Sequence, residues 1–221
     1  MHKIKLKSIT KLIWILILQL CLNTPLHSQK DSVIAYNNSD LLISSIREKA
    51  AIINRFSGNV EILYSQKFDN MINRIESANL YFQKPYSFSW KFTKPSTYTI
   101  LITNNEATTD EFGYTEKYSL NSNIDFKLAN TIFSAFYNDK LFDSSNYSFS
   151  YYENELTYLI RLIPLNNSIS NIYNNIELLI NKTDFGLVGI RFYKVENSIV
   201  KYTFNDRIVN GLIDKDAFSF E

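Results

Sequence analysis

The sequence predicts a mainly β protein: an antiparallel meander of short strands, with one helix before the strands and another in their midst. Three observations carry this. Val60, Ile62 and Tyr64 open a series of period-two segments that runs to Phe204, and strict alternation sends one set of side chains to one face of a sheet. The connections are short and rich in Asn, Asp, Gly and Pro, the residues that turns demand. The period becomes helical at 40–54 and again from Asp125 to Phe136.

The chain has 221 residues, enough for one domain with a substantial core. Residues 1–28 read as a secretory signal, leaving 29–221 as the domain. His2, Lys3, Lys5, Lys7 and Lys11 make a positive start, Leu12 to Leu22 an apolar run, and Ser28 a small residue before Gln29. The apolar run is about 11 residues, short of the roughly 20 that span a bilayer, which favours cleavage over an uncleaved anchor. A lipid on Cys21 is a further reading. Four lysines leave with the signal, reducing 23 basic side chains to 19 against 22 acidic, a net of −3. Such a mildly acidic, interleaved chain gives no electrostatic footprint for nucleic acid.

Ser39 is placed to cap the first helix, with Asp40 in its first turn. Leu42, Ile46, Ala50 and Ile53 then recur at helical spacing. From Gly58 the strands begin, with breaks expected at Asp69-Asn70 and Asn73. The stretch Glu76 to Phe92 reads as two strands joined at Lys84-Pro85-Tyr86. Leu80 and Phe82 share a face before the turn, and Phe88, Trp90 and Phe92 share one after it. Pro85 has no N–H for a ladder, so it belongs at the bend.

Tyr98, Ile100 and Ile102 form the next strand, and Asn104-Asn105 a turn. Thr108–Asp110 and Thr115–Leu120 flank a turn at Gly113. The second helix then presents Phe126, Ala129, Ile132, Phe133 and Phe136 on one side. On spacing alone it is either a permanent plug in a barrel or a mobile cover over a cavity. Strands resume at Tyr147–Tyr151 and Leu156–Ile160, a hairpin ending over Arg161 to Pro164. Ile176–Ile180, Leu187–Val195 and Ile199–Phe204 follow, and Asn210-Gly211 marks a tight turn.

Both histidines and the single cysteine fall within 1–28. A mature chain without either has no thiol nucleophile, no imidazole base, and no thiolate or imidazole metal site. No Gly-rich phosphate loop is present. Carboxylate pairs such as Asp110-Glu111 or Glu153 with Glu155 sit at expected turns, where acids are ordinarily solvated. What stands out is 16 Phe and 15 Tyr. These either fill a core or line an open concavity, as in a curved sheet that does not quite close.

The aromatic strand, Lys84-Pro85, and the Phe88-x-Trp90 run together resemble the LolA-type outer-membrane lipoprotein carriers. The likeness extends to Tyr64-Ser65-Gln66-Lys67, to Lys94-Pro95, and to the closing Asn210-Gly211-Leu212-Ile213-Asp214 with Phe218-Ser219-Phe220. The resemblance implies an unclosed antiparallel β-barrel covered by an N-terminal helix and a lid helix. It implies a periplasmic, monomeric carrier of acylated lipoproteins, with no bond chemistry and no cofactor or metal. Its partners would be an inner-membrane lipoprotein-release ABC transporter and an outer-membrane acceptor. Leu80, Phe82, Phe88, Trp90, Phe92, Ile100 and Ile102 become lipid contacts. Phe126, Ala129, Ile132, Phe133 and Phe136 become the lid's inner face. Lys84 stands where the family has a gating arginine that holds the lid closed; a lysine keeps the charge but loses the planar fork. Thr108-Thr109 stand near a position where the family has an aromatic. The same fold carrying another lipid or glycolipid, or serving as a structural module of the envelope, remains the alternative.

Overall fold

A computed structural model describes residues 33–66, 72–103, 106–143 and 145–220. The expected signal segment with Cys21, and the turn signals at Asp69-Asn70 and Asn104-Asn105, lie outside these residues.

Twelve strands among the described residues form one sheet: β1 (Ile34–Ala35), β2 (Arg55–Gln66), β3 (Ile72–Gln83), β4 (Ser87–Lys94), β5 (Tyr98–Thr103), β6 (Glu106–Glu111), β7 (Tyr114–Tyr118), β8 (Tyr147–Glu153), β9 (Thr157–Pro164), β10 (Tyr173–Asn181), β11 (Leu187–Lys194) and β12 (Ser198–Val209). Three helices accompany them: α1 (Ser39–Ile52), α2 (Ile124–Tyr137) and the single turn α3 (Asn167–Ser170). The sheet order is β1-β8-β9-β10-β11-β12-β2-β3-β4-β5-β6-β7. Every pairing is antiparallel. The two edges, β1 and β7, do not pair with each other, so the barrel is unclosed, as expected.

Two meanders, β2–β7 and β8–β12, are joined where β12 pairs with β2, from Ser198 opposite Gln66 to Val209 opposite Phe56. The register shifts between Asn205 and Ile208. Gly58 accommodates the resulting close approach, since a β-carbon there would lie 2.8 Å from the Asn205 carbonyl oxygen. At the β6–β7 hairpin both loop residues, Phe112 and Gly113, have positive φ, the geometry of a two-residue turn that follows the strand twist.

Several boundaries differ from the sequence expectation. Asn38, not Ser39, is the N-cap of α1, without a side-chain cap bond; Leu42 N–H already donates to the Asn38 carbonyl, so the helix starts one residue earlier. Asn73 lies inside β3, at the register shift where Ile72 and Arg74 pair with Ser65 and Tyr64 and Asn73 is passed over as a bulge, so the ladder continues around it. Arg161 to Pro164 continue β9, held by pairing with Tyr147–Ser150 of β8; Pro164 is tolerated as the last residue of the strand. Of the twelve strands only the two-residue β1 had no run of its own in the sequence, since so short a segment carries no period-two signal; β7 falls where Thr115–Leu120 was expected and ends at Tyr118.

Asn210 makes no hairpin. It adopts φ 54° at the end of β12, a conformation Asn tolerates better than most residues. Its side chain accepts from the N–H groups of Asn54 (2.8 Å) and Arg55 (3.2 Å) and donates to the Ile52 carbonyl (2.7 Å). It thereby satisfies backbone groups at the C-terminal end of α1, where a helix has no partners of its own. Replacing Asn210 by Ala should lower the urea midpoint, at unchanged slope, by an equivalent of about 1–2 kcal/mol. Asn210→Gly, which relieves the φ strain but not the lost bonds, should recover only part of it. An unchanged midpoint in both variants would mean that water replaces these bonds without loss.

Candidate functional site

Register builds an apolar trough on the concave face. Phe88 lies between Phe82 and Ile102, Trp90 between Leu80 and Ile100, and Phe92 between Ala78 and Tyr98. Leu80, Phe82, Phe88, Trp90, Phe92, Ile100 and Ile102 thus stand in adjacent rungs, each at most 3% exposed. Phe56 of β2 and Phe204 of β12, which the motif reading did not single out, extend the aromatic surface.

Helix α2 covers this trough. Asn123 starts it by accepting from the Phe126 N–H at 3.0 Å. Phe126, Ala129, Ile132, Phe133 and Phe136 are all at most 2% exposed. The Phe133 ring sits 5.1–5.9 Å from those of Phe56, Phe204, Phe82 and Phe88, and 4.8 Å from Tyr137. Phe126 meets Trp90 edge to face at 5.2 Å. The sequence-predicted wall and the inner face of α2 are therefore brought into one packed cluster.

A few polar contacts fix α2. The Trp90 indole N–H donates to Asn130 Oδ1 at 2.8 Å, and Asn130 Nδ2 donates to the Phe126 carbonyl at 2.8 Å. At the N-terminal end Asp125, almost buried, accepts from the Tyr173 hydroxyl (2.6 Å) and pairs with Lys194 Nζ (2.9 Å). At the other end Ser134 Oγ (3.0 Å) and Asn138 Nδ2 (2.7 Å) both donate to the carbonyl of Pro85. Arg47 of α1 pairs with Asp139 (3.1 Å) and Asp143 just beyond α2.

Lys84, expected as the gate of the lid helix, reaches α1 rather than α2. Its Nζ donates to the Ala50 carbonyl in the last turn of α1, at 2.8 Å. Burial pulls its ammonium pKa down, against the opposing pull of Asp139. The contact between the β3–β4 turn and α2 comes instead from the carbonyl of the next residue, Pro85, with the helix as donor. Sequence spacing hides this, because a backbone acceptor leaves no residue signature. Asn130 had a signal: it is the polar member of the helical series 126, 130, 133, 137.

One end of the trough is polar. Tyr64 donates to Glu76 (3.1 Å), Arg74 pairs with Glu76 (3.2 Å) and lies 4.0 Å over the Tyr64 ring, and Tyr98 stacks on Phe92 at 4.4 Å. Burial, then the Glu76 carboxylate, pushes the Tyr64 phenol up to about 12. The same causes raise Tyr98, and burial raises Tyr202, whose hydroxyl is buried without a hydrogen-bond partner among the described residues. The carboxylates singled out earlier serve local structure: Asp110 accepts from Gly113 N–H and Thr115 Oγ1 in the β6–β7 hairpin, and Glu153 pairs with Lys182.

Two clefts follow the outer flank of α2. One of about 610 Å³ lies against β6 and β7, lined among others by Tyr86, Ala107, Lys117, Tyr118, Leu120 and Lys127. The other, about 470 Å³, lies between Pro85-Tyr86 and Ser134, Asn138 and Lys140. Tyr86 and Thr131 line both.

With this geometry in place, the sequence comparison is decisive. Residues 61–221 match the family described as outer membrane lipoprotein carrier protein LolA. The chain belongs to the LolA family. No curated protein matches it significantly. Similar solved structures include a LolA superfamily protein from Nitrosomonas europaea (14% identity, 82% of this chain and 97% of that one, TM-score 0.43). Others are the lipoprotein LppX of Mycobacterium tuberculosis (11%, 79% and 98%, 0.44) and the Pseudomonas aeruginosa MucA/MucB complex (7%, 84% and 62%, 0.45). No helix among the described residues is long and apolar enough to cross a membrane.

The raised phenols set an alkaline limit. A tyrosine whose folded-state pKa exceeds its unfolded value contributes stability below the unfolded value, and that stability is lost as pH rises through the folded one. For Tyr64 the window runs from 10.0 to about 12. Unfolding followed by circular dichroism should set in across this window, with a cooperative rise in tyrosinate absorbance. Tyr64→Phe should move the onset to higher pH; an onset independent of this substitution would exclude Tyr64 as a contributor.

Proposed function

We propose that this LolA-family protein is a periplasmic carrier, exported through residues 1–28. It takes acylated lipoproteins from an inner-membrane ABC release transporter and delivers them to an outer-membrane acceptor, without bond chemistry. The observation that carries the reading is the aromatic trough closed by a helix whose inner face is as apolar as the trough itself. In this reading Leu80, Phe82, Phe88, Trp90, Phe92, Ile100 and Ile102 contact acyl chains when α2 swings away as a lid. Lys84 steadies the turn that receives the lid, by tying it to α1, and its part in gating runs through the Pro85 carbonyl beside it.

The energetics favour cargo with more than one chain. Uncovering the trough exposes Phe126, Ile132, Phe133 and Phe136, at about 1.5–3 kcal/mol each, so on the order of 6–12 kcal/mol. Each buried CH₂ returns about 0.8 kcal/mol, so one long chain contributes on the order of 10 kcal/mol and only balances the opening. Two or three chains exceed it. Dispersion against aromatic walls suits such binding, because it tolerates varied chain shape.

The test uses exported protein purified from the envelope, a fluorescent fatty-acyl probe and a triacylated lipoprotein. Ser134→Ala with Asn138→Ala removes both donors to Pro85 and should tighten acyl binding by about three- to tenfold, because less of the binding free energy goes into opening α2. Phe88→Glu should abolish binding. Retention of acyl probe without lipoprotein would move the cargo to another lipid. No acyl binding by either protein would leave α2 as a permanent plug.

A further inference from the structure

The 610 Å³ cleft beside α2 is of the size typical of small-molecule sites, about 300–1,000 Å³. One wall of it is apolar and continuous with the trough: Tyr86 packs edge to face on Phe88 at 5.3 Å, and Tyr118 on Phe126 at 6.3 Å. Leu120 and the buried Ala107 complete this wall, and Thr108, Ser119, Asn121 and Thr131 give the rest of the lining a polar character. Two cations are among its lining residues, Lys117 on the edge strand β7 and Lys127 on α2, against a single lining carboxylate, Glu106.

Neither lysine forms an ion pair among the described residues. Lys127 donates to the neutral side chain of Asn121 at 2.8 Å, and Lys117 faces Thr108 across the strand pair. Lys140 adds a third cation in the adjoining cleft. This local excess of positive charge occurs in a domain that carries a net of −3 once residues 1–28 are set aside. Two lysines beside an apolar wall and polar neighbours match the anionic headgroup and first chain carbons of an amphiphile.

We infer that this cleft is a subsite for an anionic group borne next to the acyl chains of the cargo. Lys117 and Lys127 hold the anion while the chains pass over Tyr86, Tyr118 and Leu120 toward the trough. The inference rests on the lipid-carrier reading and adds a chemical preference to it. The anion has two sources, a lipid phosphodiester or an acidic side chain beside an acylated cysteine, and both present the same oxygens to a lysine. Because Lys127 rides on α2 and Lys117 on β7, the bound anion also bridges the helix to the sheet edge.

The experiment measures binding of chain-matched amphiphiles to the exported protein at low and high salt. The probes are diacylglycerol and phosphatidylglycerol, and diacylated cysteinyl peptides with Asp or Asn in the next position. One charge-assisted contact is worth about a tenfold gain in affinity, so at least one anionic probe should bind about tenfold more tightly than its neutral partner, less so at high salt. Lys117→Gln with Lys127→Gln should erase the preference while leaving neutral-probe affinity unchanged, and Lys49→Gln, on the exposed side of α1, should not. The arm that shows the preference names the source of the anion. Equal binding of charged and neutral probes, or a preference that survives the double substitution, overturns the subsite and leaves the carrier reading standing. Failure of every probe, neutral ones included, overturns the carrier reading itself.

Discussion

The structure depends on the seating of α2 in the trough. The sheet is curved but unclosed, so its concave face cannot bury its own side chains by pairing edges. Phe82, Phe88, Trp90 and Phe92 would face water without a cover, at a cost that grows with the apolar area exposed. Phe133, central among five aromatic rings, and Phe126 against Trp90 remove that cost. They do so with side chains from one short helix, which is joined to the sheet on both sides by loops.

The polar contacts around α2 divide the work. Asp125 with Tyr173 and Lys194 fixes the N-terminal end to β10 and β11, since parting them would leave a nearly buried carboxylate uncompensated. The Asn130–Trp90 bond fixes rotation, since a buried indole N–H left without an acceptor is costly. The C-terminal end is held by neutral bonds to one carbonyl and by the partly exposed Arg47 pairs, which are weaker. The helix is therefore tethered strongly at one end and lightly at the other. That asymmetry suits a cover that swings rather than one that detaches.

Much of this was legible in the sequence. Period-two runs around Val60, Phe88, Ile100 and Tyr202 name the strands, and the spacing of Phe126, Ala129, Ile132, Phe133 and Phe136 names both the second helix and its buried face. Leu42, Ile46 and Ala50 do the same for α1, while Ile53, read as helical, is buried just past its end in extended conformation. What escaped was polar or short. β1, two residues long, buries too little to impose a period. Asn210 looked like a hairpin turn because its dipeptide favours one, yet no strand follows to pair. Lys84 was assigned the right corner of the molecule but the wrong helix, because α1 and α2 both end beside the β3–β4 turn.

Sequence alone determined which side chains face inward, since the two- and 3.6-residue periods follow from local backbone geometry. It also determined the aromatic character of the trough and the family, through Lys84-Pro85, Phe88 and Trp90. Tertiary structure alone decided which inward faces meet, that the Pro85 carbonyl receives α2, that Asn210 closes α1 from about 155 residues away, and that Lys117 and Lys127 border one cleft. These are contacts between segments whose distance along the chain leaves no periodic trace. Several also use backbone carbonyls, which every residue possesses and no sequence pattern marks.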